Sequence, residues 1–169
     1  FLTALPTMAG RDFAYDYKGK TLTYTVIDED AKTCEVKRGD YDSYRHCYIA
    51  GNNAKGELVI PAVVSDGVTE YSVTEIGLYA FYQCNGLASV TVPGSVTYIG
   101  NSAFKGCDGL RNLRLEDGDA TLSLSSNSMN TIGSIPGLFS QCPLENVYIG
   151  RNLYYSTLSS QGVSPFYNN

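Results

Sequence analysis

Residues 73–95 read VTEIGLYAFYQCNGLASVTVPGS, and residues 96–115 read VTYIGNSAFKGCDGLRNLRL. The line Ile-Gly-x-x-Ala-Phe-x-x-Cys occurs in both, starting at Ile76 and again at Ile99, so the two copies lie 23 residues apart. A fixed period of this size, in which the same apolar positions are refilled, is the signature of stacked repeats. The pattern therefore predicts a fold in which neighbouring repeats bury a shared core.

Weaker copies extend the pattern on both sides. The Phe-x-x-Cys pair returns at Phe139 and Cys142, and Phe166 occupies the last Phe position. Residues 65–73 are an insertion with a predicted turn at Asp66-Gly67. A second insertion predicts a hairpin, since Leu residues alternate on both sides of Asp117-Gly118, over 113–115 and 122–124.

The residues before the repeats have a different pattern. Within residues 11–50, two β-branched segments at 21–27 and 33–37 predict an antiparallel meander that serves as an N-terminal β-cap. Residues 1–10, FLTALPTMAG, are interpreted as a signal-peptide remnant, which would imply export, with an ordinary N-terminal arm as the alternative. The repeats are expected over residues 51–169.

Composition narrows the range of functions. A net charge of −5 without a basic cluster argues against binding to nucleic acid or to an anionic membrane surface. No apolar run is long enough to predict a membrane span.

Three of the five cysteines follow a repeat Phe by three residues. We interpret Cys84, Cys107 and Cys142 as a column of buried, unbridged core residues. Cys34 and Cys47 lie outside the repeats and are a candidate disulfide if the compartment is oxidising.

Catalytic and metal sites are not predicted. The one histidine, His46, is interpreted as a surface-loop residue, because no nucleophile motif accompanies it. Cys34, His46 and Cys47 lack the short spacings of a zinc site. The tripeptide Arg-Gly-Asp at 38–40 is interpreted as a chance match. We expect no cofactor, no metal and no enzymatic activity.

Residues 87–107, LASVTVPGSVTYIGNSAFKGC, resemble the BspA-like subclass of leucine-rich repeat proteins, whose pattern is LxxLxLPxxLxxIGxxAFxxCxx. The resemblance covers residues 51–169, but Glu116 replaces the Pro after the strand. It implies a right-handed leucine-rich repeat solenoid, a β-rich β/α superhelix with short helical turns. It also implies a secreted or cell-surface bacterial protein that binds host or other cell-surface proteins.

Within one repeat, alternation places Leu87, Val90 and Val92 in the core and the residues between them outside. Strands of successive repeats should then form one parallel sheet, and the repeat Phe residues a buried ladder. The outward residues predict a protein-binding face that consists of Val59, Ser89, Thr91, Arg111, Asn112, Arg114, Glu145, Asn146 and Tyr148.

Two further expectations concern partners. The chain stops in mid-repeat, which favours self-association through an open C-terminal end. The alternative to a binding module is a structural spacer or stalk that presents another domain.

Overall fold

The computed structural model describes residues 10–38, 55–125, 137–155 and 165–166. These residues form strands and turns, and no helix occurs among them. In chain order the strands are β1 (Asp12–Tyr17), β2 (Lys20–Asp28), β3 (Thr33–Val36), β4 (Lys55–Val59), β5 (Val63–Ser65), β6 (Glu70–Ile76), β7 (Gly86–Val92), β8 (Tyr98–Ile99), β9 (Asn112–Leu115), β10 (Leu122–Leu124), β11 (Asn146–Ile149) and β12 (Leu153–Tyr155).

The strands form two sheets, not the single sheet predicted. The four-stranded sheet has the order β11-β9-β7-β4 and is parallel throughout. The eight-stranded sheet has the order β1-β2-β3-β6-β8-β10-β12, and β5 pairs with β6. The repeats thus contribute strands to both sheets. The second strand escaped the sequence pattern because β8 is only two residues long.

The predicted hairpin after Leu113 is wrong. Strand β9 pairs in parallel with β7 and β11, whereas β10 pairs in parallel with β8 and β12 in the other sheet. Residues 116–121 therefore form a corner between sheets. The two alternating Leu pairs looked like a hairpin because both strands bury every second residue in the same core.

The N-terminal segment forms the predicted antiparallel meander of β1, β2 and β3. Strand β3 then pairs in parallel with β6, so the meander extends the sheet that the repeats continue. The predicted turn at Asp66-Gly67 is present between β5 and β6, where Asp66 Oδ1 accepts hydrogen bonds from the amides of Val68 and Thr69 at 2.8 Å each.

The segments that were expected to form short helical turns are open turns. In the first copy, the amides of Ala80 and Tyr82 bond locally to Gly77 and Tyr79, but the alternate amides of Phe81 and Gln83 bond to the next repeat. Left-handed backbone at positions such as Tyr79 and Gln83 also interrupts any helix. Because every second amide donates to a carbonyl of the next repeat, the consecutive hydrogen bonds of an α-helix cannot form.

The core contains the predicted aromatic ladder. Phe81 stacks on Phe104 with ring centroids 5.0 Å apart, Phe104 on Phe139 at 5.4 Å, and Phe139 on Phe166 at 5.2 Å. The first three rings are fully buried. Cys84, Cys107 and Cys142 are buried beside them, as predicted, and Cys34, Cys107 and Cys142 are free thiols.

Gly100, one of the glycines that recur in the two matching lines, is required by packing. A Cβ on Gly100 would lie 2.6 Å from the amide nitrogen of Leu78 and 2.8 Å from the carbonyl carbon of Gly77. The backbones of consecutive repeats touch here, and any side chain would push them apart.

Several predictions concern parts of the chain outside the described residues. These are the interpretation of residues 1–9, the loop with His46 and Cys47, and the second and third residues of the Arg-Gly-Asp tripeptide, Gly39 and Asp40. Among the residues that are described, no helix is long and apolar enough to cross a membrane.

Candidate protein-binding face

The four-stranded sheet places its outward residues in two straight columns. In the first, Thr91 pairs with Val59 on one side and Arg114 on the other, and Arg114 pairs with Tyr148. In the second, the order is Glu57, Ser89, Asn112 and Asn146. We call these eight residues the polar face. Parallel pairing without a shift over β7, β9 and β11 produces this alignment.

The face contains an open depression of about 580 Å³. Its lining residues are Glu57, Ser89, Val90, Thr91, Asn112, Leu113, Arg114, Glu145, Asn146, Val147 and Tyr148. The side chains of Ser89 and Thr91 on β7 are short, whereas those of Arg114 and Tyr148 are long, which leaves room above β7.

Arg114 and Tyr148 form a cation–π pair at this depression. The Arg114 guanidinium carbon lies 4.2 Å from the centroid of the Tyr148 ring, a cation–π contact. The Tyr148 hydroxyl donates a 2.8 Å hydrogen bond to Asp117 Oδ1, and this bond raises the pKa of Tyr148. The Tyr148 side chain is therefore held at its backbone by β11 and at its hydroxyl by Asp117.

The rest of the face is linked by weaker polar contacts. Asn146 Nδ2 donates to Asn112 Oδ1 at 2.9 Å, across β11 and β9. Just outside the columns, Arg111 lies 3.5 Å from Glu145, and both side chains are more than half exposed. A pair this exposed contributes little to stability.

A buried arginine supports the face at the ends of the strands. Arg151 follows β11 and is 8% exposed. Its Nη1 donates to the carbonyls of Gly94 at 2.9 Å and Val96 at 2.5 Å, and its Nη2 donates to the carbonyl of Pro93 at 2.6 Å. Burial lowers its pKa. These bonds tie the turn after β11 to the turn after β7.

The corner at Asp117 is clamped between those two turns. A Cβ on Gly94 would lie 2.2 Å from the Asp117 carbonyl oxygen, and one on Gly150 would lie 2.6 Å from the Asp117 amide nitrogen. The packing of these glycines fixes the backbone of Asp117. The position of its carboxylate, and hence of the Tyr148 ring, follows from that packing.

The structure brings most of the predicted site residues together. All nine except Val59 and Arg111 line the depression. Val59 lies at the edge strand β4, and Arg111 contacts the lining residue Glu145. Glu57 is a lining residue outside the predicted set, although strand alternation places it in the outward column of Ser89, Asn112 and Asn146. Asp117 was missed because it lies after its strand, in the segment taken for a hairpin turn.

The comparisons with known proteins agree with the repeat pattern. A family model described as BspA type leucine-rich repeat region matches residues 66–156 in six copies, which is more than half of the chain. No curated protein is similar enough to the chain to count as a relative.

Among solved structures, a leucine-rich repeat protein from Bacteroides ovatus ATCC 8483 is 23% identical over 83% of this chain, with a TM-score of 0.51. The chain spans 37% of the length of that protein. A leucine-rich repeat protein from Bacteroides capillosus ATCC 29799 is 25% identical, with 80% of this chain and 94% of that one covered and a TM-score of 0.47. On the match of the family model, the chain belongs to the BspA-type leucine-rich repeat family.

Proposed function

We propose that the chain is a non-enzymatic protein-binding module of a secreted or cell-surface bacterial protein, and that it binds its partner with the polar face. Membership of a leucine-rich repeat family supports a protein-interaction module. Within that class, the resemblance favours adhesion to host or other cell-surface proteins.

The observation that carries the proposal is the Arg114–Tyr148 pair at an open depression of about 580 Å³. Arginine and tyrosine are enriched among the residues that dominate binding energy in protein interfaces. Here both are held in place before any partner arrives, since Tyr148 is bonded to Asp117. Less side-chain freedom is then lost on binding.

The proposal includes the architecture that presents the face. The stacked repeats form a right-handed solenoid, and β1–β3 cover its N-terminal end. Two contacts support the cap: β3 pairs with β6, and Tyr24 and Val26 from β2 join the core. Exposed repeat ends need such a cover for solubility.

The test is a comparison of captured proteins. The chain is immobilised and exposed to labelled cell-surface and extracellular-matrix proteins, beside an Arg114→Ala/Tyr148→Ala variant. A Tyr98→Ala/Tyr154→Ala variant is the matched control, because these tyrosines are 37% and 60% exposed on the other sheet. We expect capture to be lost with the first variant and kept with the second. Capture of nothing by any form would favour the spacer.

Localisation has its own test. Antibodies against the chain should label intact cells that produce it, or the surrounding medium. Signal only after the cells are broken open would contradict the proposed surface location.

A further inference from the structure

Arg114 differs from several other cations of the chain in its surroundings. Arg11 lies 2.6 Å from Asp66, Lys37 forms an ion pair with Asp12, and Arg111 lies 3.5 Å from Glu145. Among the described residues, Arg114 has no carboxylate within ion-pair distance, although it is exposed on a sheet face with acidic neighbours.

The acidic neighbours have other roles. The Asp117 carboxylate accepts a hydrogen bond from the Tyr148 hydroxyl, and Glu145 faces Arg111. Glu57 is on β4, which is separated from β9 by β7. The two strands are two spacings apart, about 9–10 Å, so salt at physiological ionic strength weakens the attraction between Glu57 and Arg114.

The Tyr148 ring also restrains the Arg114 guanidinium. The carbon of this planar group lies 4.2 Å from the ring centroid, so the ring blocks approach to it from one side. The N–H groups lie at the edges of that plane, in a fork that matches a carboxylate. Ser89, Thr91 and Asn112 line the same depression and supply hydroxyl and amide groups for the rest of a ligand.

We propose that Arg114 is the anchor for a carboxylate, so that the partner is a protein that presents an aspartate or glutamate side chain to this depression. The proposal rests on the proposed function and specifies the chemistry of the partner. With no carboxylate of the described residues at ion-pair distance, the Arg114 guanidinium favours an acidic group over a neutral isostere, and Tyr148 sets the direction of approach.

The test uses three blocked pentapeptides, Gly-Gly-Glu-Gly-Gly and its Gln and Lys counterparts, titrated into isotopically labelled chain and followed by NMR. The Glu peptide should shift the signals of Thr91, Arg114 and Tyr148 and bind about tenfold tighter than the Gln peptide, as expected for a charge-assisted hydrogen bond. Arg114→Gln should remove that preference. Arg114→Lys should keep part of it, because the charge stays but the fork is lost.

Lys37→Gln is the matched control, since it removes one positive charge next to β3, outside the polar face, and should leave the Glu preference intact. Equal binding of the Glu and Gln peptides, a preference for the Lys peptide, or no shift with any peptide at millimolar concentration would each overturn the carboxylate anchor. The capture experiment decides separately whether the polar face binds protein at all. If capture depends on the polar face but the peptides show no preference for Glu, the proposed function holds and only the carboxylate anchor is wrong.

Discussion

The thiol of Cys142 donates a hydrogen bond to the backbone carbonyl of Phe104, with Sγ and O 3.0 Å apart. The same contact occurs one repeat earlier, where Cys107 Sγ lies 3.1 Å from the carbonyl oxygen of Phe81. Each cysteine thus bonds to the repeat before it. The column of thiols helps to hold neighbouring repeats in register, and its role is structural.

This arrangement predicts slow thiol chemistry. Burial raises the pKa of Cys107, and burial raises the pKa of Cys34 to about 12. Because the thiolate is the reactive form, these residues should resist modification in the native state. A hydrogen bond with Cys107 lowers the pKa of Cys142, but Cys142 is fully buried, so a reagent cannot reach it in the folded chain. In a Cys47→Ser variant, the four remaining cysteines should therefore react with a thiol-specific disulfide reagent only as fast as the protein unfolds. A thiol that reacts rapidly in the native protein would contradict this.

The aromatic ladder predicts a large loss of stability in Phe104→Ala. The Phe104 ring is fully buried between Phe81 and Phe139. Its removal should lower the free energy of unfolding by about 3–5 kcal/mol, measured by urea denaturation. Phe104→Leu is the control and should lose less, since it keeps most of the volume. An unchanged midpoint for Phe104→Ala would show that the ring is not part of the core.

Arg151 should matter for stability despite its charge. In Arg151→Met the carbonyls of Gly94 and Val96 lose the Arg151 donor, and that of Pro93 keeps only its bond from the Val96 amide. We expect a loss of about 1.5–3 kcal/mol in the free energy of unfolding. Arg111→Met is the matched control. Its ion pair is exposed, so its effect should stay within about 1 kcal/mol. Equal effects of the two variants would argue against the role of Arg151 in joining the turns.

The turn between β5 and β6 predicts a specific acid sensitivity. Hydrogen bonds from the amides of Thr69 and Val68, together with Arg11, lower the pKa of Asp66 from 3.8 to about 2. A folded-state pKa below the unfolded value stabilises the fold above the unfolded pKa. That stability is lost as the pH falls from about 4 towards 2.

Asp66→Asn should therefore reduce stability at neutral pH and flatten the dependence of stability on pH across this window. Urea denaturation at a series of pH values measures both effects. Asp108→Asn, at an exposed position, serves as the control. If Asp66→Asn and the parent chain lose stability in parallel below pH 4, Asp66 does not carry the acid sensitivity.

The sequence predicts the fold where one residue type recurs at the same repeat position because it packs in the same way each time. Phe and Cys columns could be predicted because each position packs on its own copy in the next repeat, and the outward columns follow from strand alternation. The second sheet could not, because β8 has only two residues, too few to show the alternation of a strand.

The corner after β9 was missed for a related reason. Asp117-Gly118 is a strong local turn signal, but its conformation is set by packing against Gly94 and Gly150 in other repeats. Arg151 likewise bonds to carbonyls more than fifty residues earlier, which no local pattern reveals. Long-range contacts between irregular turns are the part of this fold that the sequence alone does not predict.

The most direct test of the central claim is the affinity of one captured partner for three forms of the chain, measured by surface plasmon resonance. If the polar face is the binding surface, Arg114→Ala/Tyr148→Ala should weaken binding at least about tenfold, which corresponds to about 1.4 kcal/mol of binding free energy. The Tyr98→Ala/Tyr154→Ala control should bind like the parent chain. Undiminished binding by the first variant, or a loss confined to the control, would place the binding surface elsewhere and contradict the claim.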